Sequence, residues 1–463
     1  MEEGLLASSS SSDDVYRKSC SATPAVIFST SVVACGSLAF GLAVGYSSPA
    51  ESGIMNDLGL SFAEYSGFSS ILKFGGMLGA LLSGRVADCF GRRITMWILA
   101  IFFILGWILI FFGQNAWWLD FGRLFMGVGC GLHCYVAPIY IGEITPKDIR
   151  GGFIAITTFT QTLGFILMFL VGNFLSWRGL AVVGVLPCLA QVLGLFFTPE
   201  SPRWLAMMGD EKGAEMVLWH LRGANADISS EAAEIEEYAE TLEQEPKSRY
   251  SDLMDRRYAQ PLLVGIGLML LVQFGGADGV SSYANSIFEA AGCPAAISST
   301  AIAAVQIPFA PLSVLLVDKA GRRPILMVTA AIAGCGMFLT GLGFLFKTHN
   351  IWIDISPPLV LAGVMIYSSA MAAGMGSTTW VIMSEIFPIN IKGTAGSLVT
   401  LGNWFSSWVV AYAFNFLFEW NSSGVFFIFA ITSAAVVPFV MKCVPETKGR
   451  TLEEIQASMV LFK

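Results

Sequence analysis

The segment from Ile94 to Gly113 reads ITMWILAIFFILGWILIFFG and contains no charged side chain. A helix rises about 1.5 Å per residue, so a run of this length crosses the roughly 30 Å hydrocarbon core of a bilayer. The whole chain has the same character, because 55% of its 463 residues are hydrophobic and only 13% are charged. A typical soluble domain carries about 25% charged residues. The sequence therefore predicts a polytopic membrane protein.

Eleven further apolar segments bring the number of predicted spans to twelve. Their approximate ranges are 24–47, 65–84, 118–141, 152–176, 179–198, 260–289, 297–317, 324–346, 358–386, 394–418 and 424–443. The predicted fold class is an all-α membrane protein with two pseudo-symmetric six-helix bundles, 24–198 and 259–443. A helical cytosolic linker is expected at 199–258, where charged residues alternate with apolar ones at helical spacing. Residues 1–23 and 444–463 are expected to be cytosolic tails, the first of them disordered.

Three charged motifs occur twice, in the same order and about half a chain apart. Their repetition at a nearly constant offset indicates a duplicated membrane unit. The three pairs are Asp88-Cys89-Phe90-Gly91-Arg92-Arg93 with Asp318-Lys319-Ala320-Gly321-Arg322-Arg323, Glu143 to Arg150 with Glu385 to Lys392, and 199–203 with 445–450.

Lysine and arginine set the predicted orientation, because acidic residues contribute little to topology. If both termini lie on one side of the membrane, nearly all basic residues lie on that side as well. The opposite side then keeps only Arg178 and Lys347. Both ends of the chain are therefore predicted to be cytosolic.

The repeated motifs place acidic and basic side chains together at the cytosolic ends of the spans. Charge-assisted hydrogen bonds between them can link neighbouring helices. We expect a network that holds the two halves together in one conformational state and parts in the other; the alternative is a solvated basic rim in which each pair contributes little. The expected network comprises Asp88, Arg92, Arg93, Glu143, Arg150, Glu200, Arg203, Asp318, Arg322, Arg323, Glu385, Lys392, Glu446 and Arg450.

Several ionisable residues lie inside predicted spans, where a charge is costly and by default indicates function. Lys73 is near the middle of the second span. Asp120 and Arg123 are one turn apart in the fourth span, so we expect them to pair and to form a possible proton-responsive element.

The nine cysteines show neither a disulfide framework nor zinc spacing, and no metal or cofactor is expected. Glycine runs at 127–131 and 374–376 lie within apolar spans and are expected to loosen those helices.

Four segments share a recognisable pattern: Gly84–Arg93, Pro138–Gly151, Pro199–Leu205 and Pro445–Thr451. As a set they resemble the sugar porter family of the major facilitator superfamily, over about residues 25 to 455. Within that family the chain resembles the plant early-responsive-to-dehydration-six-like branch of vacuolar-membrane monosaccharide transporters. The segments that carry this second resemblance are 2–6, 46–50, 117–123 and 144–148.

The resemblance implies a sugar site inside the membrane. Side-chain amides offer a donor and an acceptor side by side, and an aromatic face suits the C–H surface of a sugar. The family's positions, carried over one at a time, are Gln161, Gln273, Asp278, Gln306, Trp380, Asn403 and Trp404. The chain departs from the family pattern at Val272, Asp278, Ser282, Ala372, Met375, Ser377 and Ser407, which leaves the identity of the sugar open.

The implied function is transport of a neutral monosaccharide, a hexose such as glucose or fructose, by alternating access; no enzyme activity is expected. Proton-coupled sugar porters place an aspartate where this chain has Ala43, which favours facilitated diffusion. Asp120, Asp278, Lys73 and His133 keep a proton symporter open as an alternative, and a sugar sensor without useful flux is another.

The expected location is the vacuolar membrane, with the plasma membrane as the alternative. Glu2-Glu3-Gly4-Leu5-Leu6 resembles an acidic dileucine sorting signal read by vesicle-coat adaptors, and a chance leucine pair in a tail is the other interpretation. The expected partners are therefore a sugar, the lipid bilayer and such an adaptor.

Overall fold

The computed structural model describes residues 23–146, 149–223, 228–244, 256–294, 300–302, 304–309, 312, 316, 320–387 and 392–447, and every regular element in them is helical. The first half contains seven helices before the linker. They are α1 (Pro24–Gly45), α2 (Ser47–Leu58), α3 (Phe62–Phe90), α4 (Arg92–Phe111), α5 (Ala116–Ile144), α6 (Arg150–Val171) and α7 (Trp177–Leu195).

Three short helices lie between the halves, and they are followed by the helices of the second half. The linker helices are α8 (Pro202–Met207), α9 (Glu211–Arg222) and α10 (Ser229–Gln244). The second half contains α11 (Arg256–Phe274), α12 (Ala277–Ser282), α13 (Ala284–Ala291), the shorter apolar helix Thr300–Phe309, α14 (Arg322–Thr348), α15 (Ser356–Ala370), α16 (Gly376–Ile386), α17 (Lys392–Trp420) and α18 (Ser422–Cys443).

Nine helical stretches in the described part of the chain are long and apolar enough to cross a membrane. Two further helices, α3 and α17, have 29 residues each. Their interiors carry polar side chains such as Lys73 and Asn403, which lower their mean hydropathy. Together with Thr300–Phe309, these helices occupy the places of the twelve predicted spans.

The glycine inside each copy of the duplicated signature immediately precedes the next helix, and Gly91 also ends α3. Gly91 and Gly321 have φ angles of 90° and 92°, a region that favours glycine because it lacks a Cβ. A Cβ on Gly91 would lie 2.6 Å from a carboxylate oxygen of Glu200, and one on Gly321 would lie 3.0 Å from an oxygen of Glu446. The glycine of the signature therefore allows both the turn and the close approach of a carboxylate.

Helices α3 and α5 pack backbone against backbone through small residues. A Cβ on Gly127 would lie 2.1 Å from the carbonyl oxygen of Leu72, and one on Gly79 would lie 2.3 Å from that of Val128. The expectation that glycines 127–131 loosen their helix is wrong, because α5 runs without a break from Ala116 to Ile144. The second glycine run behaves differently, since Met371–Met375 forms a π-helical turn between α15 and α16.

The seventh span is broken into three helices, α11, α12 and α13. Gly276 has a φ of 96° at the first break, and Tyr283 separates α12 from α13. A Cβ on Gly276 would lie 2.5 Å from the ring of Phe429, so the break is packed against α18. Discontinuous membrane helices place backbone and short helical segments at substrate sites.

The linker helices are attached to the first half. Leu218, Ile228 and Ile235 form a small apolar cluster among them. The Arg222 guanidinium donates to the Ile144 carbonyl at the end of α5 at 2.7 Å and pairs with Glu231 at 2.7 Å. The predicted helical character of this segment is seen in α8, α9 and α10.

Candidate functional site

The basic end of the bundle is defined here as the end that carries Arg92, Arg93, Arg322 and Arg323. The far end is the opposite end, which carries α2 and α13.

In the first half, Arg92 binds both oxygens of Glu143, at 3.0 and 3.1 Å. Glu200 accepts from the backbone N–H groups of Arg92 and Arg93 at 2.9 and 3.0 Å. Burial raises the pKa of the Glu200 carboxyl above its usual value, and the backbone hydrogen bonds offset only part of that rise.

The second half repeats this arrangement at the basic end. Arg322 donates to Glu385 at 3.1 Å, and Glu446 accepts from the backbone N–H groups of Arg322 and Arg323 at 3.1 and 3.2 Å. The duplicated motifs therefore build the same cluster twice. Each cluster joins helices of one half, so the expected network between the halves stays a prediction.

The other predicted members of the network lie around these clusters or outside the described residues. Asp88 lies 3.4 Å from Arg92, with 57% of its side chain exposed. Arg150, at the start of α6, has Arg203 among its charged neighbours. Asp318, Arg450, the side chain of Lys392, Leu5 and Leu6 lie outside the described residues.

Four of the seven predicted sugar-site residues come together between α11, α12 and α17. The Gln273 amide donates to the Asn403 side-chain oxygen at 2.9 Å. One carboxylate oxygen of Asp278 accepts from the Ser407 hydroxyl. The other oxygen lies 2.5 Å from the Lys73 ammonium nitrogen. The Lys73 ammonium lies 5.9 Å from the centroid of the buried Trp404 ring. The ion pair thus lies beside the Trp404 ring, and the amide pair includes Asn403, the residue that precedes this tryptophan.

A cavity of about 130 Å³ lies where the two halves meet. Gln306 lines it, together with Phe165 of α6, Ser281 of α12 and Tyr367 of α15. The Tyr367 hydroxyl and the Gln273 side-chain oxygen are buried without a hydrogen-bond partner. Polar groups in such surroundings are normally satisfied by protein, water or ligand.

Of the two remaining predicted residues, Gln161 lies on a helix that reaches this cavity, whereas Trp380 lies on α16, which contributes none of the described lining residues. Gln161 is one turn before the cavity-lining Phe165 on α6. The backbone of α1 passes close to it, because a Cβ on Gly41 would lie 2.0 Å from the Gln161 carbonyl oxygen. Trp380 lies on α16, and 46% of its surface is exposed. No described contact joins either side chain to the group around Asp278.

Arg123 has partners other than the expected one. Its guanidinium donates to the Ala43 carbonyl at 2.6 Å and to the Ser47 hydroxyl, and the Phe68 ring lies 4.9 Å away. The expected pair with Asp120 is not formed, and one Asp120 oxygen is buried without a hydrogen-bond partner. The reason is direction, since Arg123 points into the contact with α1 and is bonded there.

The far end holds contacts between the halves that the sequence did not reveal. The Ser48 hydroxyl accepts from the backbone N–H of Asn285 at 3.0 Å, and Glu51 accepts from the Ser286 hydroxyl. Glu51 is only 4% exposed. An acidic residue just after a span reads as a surface position, so no pattern in the sequence signals its burial.

Within the described residues, no group of three or more His, Cys, Asp or Glu side chains is placed to hold a metal ion.

The family model described as "Sugar (and other) transporter" matches residues 21–459. The chain belongs to this family. Among the relatives of this sugar transporter, "Sugar transporter ESL1" of Arabidopsis thaliana is 47% identical over 462 residues, which cover 100% of this chain and 98% of that protein. "Sugar transporter ERD6-like 17" of Arabidopsis thaliana is 48% identical, over 99% of this chain and 96% of that protein. The resemblance predicted from the motifs is thus confirmed, including its branch.

Solved structures of sugar transporters share the fold. The inward open conformation of the xylose transporter XylE from E. coli matches with a TM-score of 0.79 and 25% identity, over 94% of this chain and 99% of that chain. A second XylE structure, titled a major facilitator superfamily proton:xylose symporter bound to 6-bromo-6-deoxy-D-glucose, matches with a TM-score of 0.76 and 24% identity, over 94% of this chain and 99% of that chain. The predicted fold class is confirmed.

Proposed function

We propose that this protein carries a neutral monosaccharide, a hexose such as glucose or fructose, by alternating access. The observation that carries the proposal is the hydrogen-bonded amide pair Gln273–Asn403, in which Gln273 precedes by four residues Ala277, a residue that lines the cavity between the halves. The Tyr367 hydroxyl, which belongs to a cavity-lining residue, and the buried Gln273 side-chain oxygen have no hydrogen-bond partner among the described residues, and sugar hydroxyls both donate and accept. No reaction is proposed, since the site is built for binding.

The proposed sugar site comprises the seven positions implied by the family. Gln306 contributes an amide to the cavity wall, and Gln161 lies one turn from Phe165, which also lines it. We assign Trp380 the covering of an apolar sugar face when the halves close, and the 46% exposure of this residue supports that role. Gln273, Asn403, Asp278 and Trp404 form the side of the site that belongs to α11, α12 and α17.

The proposed mode is facilitated diffusion. The two terminal nitrogens of the Arg123 guanidinium donate to the Ala43 carbonyl and the Ser47 hydroxyl, which are neutral at any working pH. A titratable carboxylate at position 43 would release an arginine when protonated, whereas a carbonyl cannot. The arrangement around Arg123 therefore supports a carrier that follows the sugar gradient.

We further propose that the basic end faces the cytosol, as do both termini, and that the membrane is that of the vacuole. The support is the distribution of Lys and Arg and the likeness of residues 2–6 to a sorting signal. Replacing Leu5 and Leu6 by alanine should move a tagged protein to the cell surface. An unchanged location would remove the signal from the proposal.

The test of transport is uptake of labelled hexose into liposomes that contain the purified protein. Saturable uptake above that of empty vesicles is expected, and Gln273→Ala and Gln161→Ala should each lower it, since an amide partner of the sugar is lost. Gln114→Ala is the matched control, because it removes the same amide from an exposed loop. Hexose binding without uptake would favour the sensor instead, and unaffected uptake in Gln273→Ala would remove that residue from the site.

A further inference from the structure

The short helices α12 and α13 belong to the second half but are bonded to the first. Lys73 of α3 pairs with Asp278 of α12. The Ser48 hydroxyl and the Glu51 carboxylate of α2 bind Asn285 and Ser286 of α13. An opening of the far end that separates the halves must break these bonds.

Lys73–Asp278 is the ion pair of this set, and it lies deep in the membrane region. The side chains of Lys73 and Asp278 are 6% and 14% exposed. The pairs Arg92–Glu143 and Arg322–Glu385 each lie within one half, so they survive when the halves move apart. Lys73 and Asp278 lie on opposite halves, and separating two buried charges without replacement partners is strongly unfavourable.

A hydroxyl group has the chemistry to replace the direct contact. One Asp278 oxygen already accepts from the Ser407 hydroxyl, which shows that the carboxylate takes this kind of donor. A hydroxyl both donates and accepts, so it can bind the carboxylate with its hydrogen and the ammonium with its oxygen. The hydroxyl would thus increase the distance between ammonium and carboxylate while each charge keeps a hydrogen-bond partner. The Trp404 ring, whose centroid lies 5.9 Å from the ammonium, adds a cation–π interaction.

We propose that Lys73 and Asp278 form a charged latch between the halves, which holds the far end closed and which a sugar hydroxyl opens by inserting between ammonium and carboxylate. The proposal rests on the proposed sugar transport, because it gives the substrate the task of opening. An empty carrier has to separate the bare charges, whereas a loaded carrier does not. The loaded protein therefore changes conformation faster than the empty one.

The first test compares two fluxes in the same proteoliposomes: exchange of labelled hexose against hexose, and net uptake into sugar-free vesicles. Exchange is expected to be several-fold faster in the natural protein, because it avoids the empty transition. In the double variant Lys73→Met with Asp278→Asn, the ratio should fall toward one. Each single variant leaves one buried charge unpaired and should lower both fluxes below those of the double variant.

Asn415→Ala is the matched control, because it removes a neutral hydrogen bond between the halves, to Ser66 at 3.1 Å, and should keep the ratio. The exchanged pair Lys73→Asp with Asp278→Lys should recover part of the ratio that the neutral pair loses. An equal ratio in the natural protein and the neutral double variant would overturn the latch while leaving transport intact. Absence of any hexose flux in the natural protein would instead refute the proposed function.

The second test does not depend on flux. Hydrogen–deuterium exchange of the purified protein reports the opening of Ala284–Ala291, with Pro24–Gly45 as the internal reference. The neutral double variant should exchange the amides of α13 faster than the natural protein, and the reference helix should be unaffected. Identical exchange of α13 in the two proteins would overturn the latch even if no sugar were transported.

Discussion

At the scale of single residues, the proposal of facilitated diffusion depends on the surroundings of Arg123. Arg123 is 1% exposed, and its hydrogen bonds go to a carbonyl and a hydroxyl of the first span. Neutral acceptors can satisfy a buried guanidinium, although a carboxylate would bind it more strongly. The charge of Arg123 is therefore held in place by groups that do not titrate.

Ala43→Asp is expected to make hexose uptake depend on external pH. The new carboxylate would lie beside the guanidinium that now binds the Ala43 carbonyl at 2.6 Å, and protonation would release it from the arginine. Uptake into proteoliposomes over a range of pH measures the effect. Ala43→Asn is the control, because it has nearly the same shape and cannot ionise; a flat pH profile in both variants would contradict the prediction.

The sequence predicted the special residues better than it predicted their partners. Lys73 and Asp278 were singled out separately, one as a costly charge and one as a departure from the family pattern. Their pairing depends on how two halves of the fold meet, which no local pattern encodes. Asp120 was the nearest carboxylate along the chain to Arg123, but the arginine points into α1 and finds its acceptors there.

At the scale of helices, glycine determines how closely α3 and α5 approach. Gly127→Ala is expected to destabilise the protein by about 1 to 3 kcal/mol, because the new methyl would lie 2.1 Å from the Leu72 carbonyl oxygen and force the helices apart. Thermal unfolding of the purified protein in detergent measures this. Gly67→Ala is the matched control, since nothing lies within 4 Å of a Cβ at that position of α3. Equal melting temperatures for the two variants would contradict the packing role.

The helices themselves were readable from the sequence, and their interruptions were not. Long apolar runs predicted the spans, and the glycine of the duplicated signature marks a real turn at Gly91 and Gly321. The breaks at Gly276 and Tyr283 fall inside the seventh span, which is predicted as one segment, 260–289. Hydrophobicity gives the length of a membrane segment, whereas packing decides where its backbone bends.

At the scale of the whole molecule, the contacts at the far end and the clusters at the basic end have different consequences for movement. Contacts such as Ser48–Asn285 cross between the halves, whereas Arg92–Glu143 and Arg322–Glu385 each brace one half. Each half can therefore move as a rigid body while its own cluster stays formed. The proposed alternating access by rocking of two bundles requires such contacts, some that break between the halves and some that persist within each half.

The whole-molecule prediction is that a pH gradient alone drives no accumulation of sugar. Liposomes with equal hexose inside and outside and an imposed pH gradient measure it directly. We expect the internal hexose concentration to stay at the external value, because Arg123 has neutral partners and Asp278 is held by Lys73. Accumulation above the external concentration would refute facilitated diffusion. If accumulation were lost in Asp278→Asn or in Asp120→Asn, the variant would identify the residue that carries the proton. If accumulation persisted in both variants, His133 would be the next candidate, because its Nε2 lies 3.0 Å from the Ser37 hydroxyl oxygen of the first span.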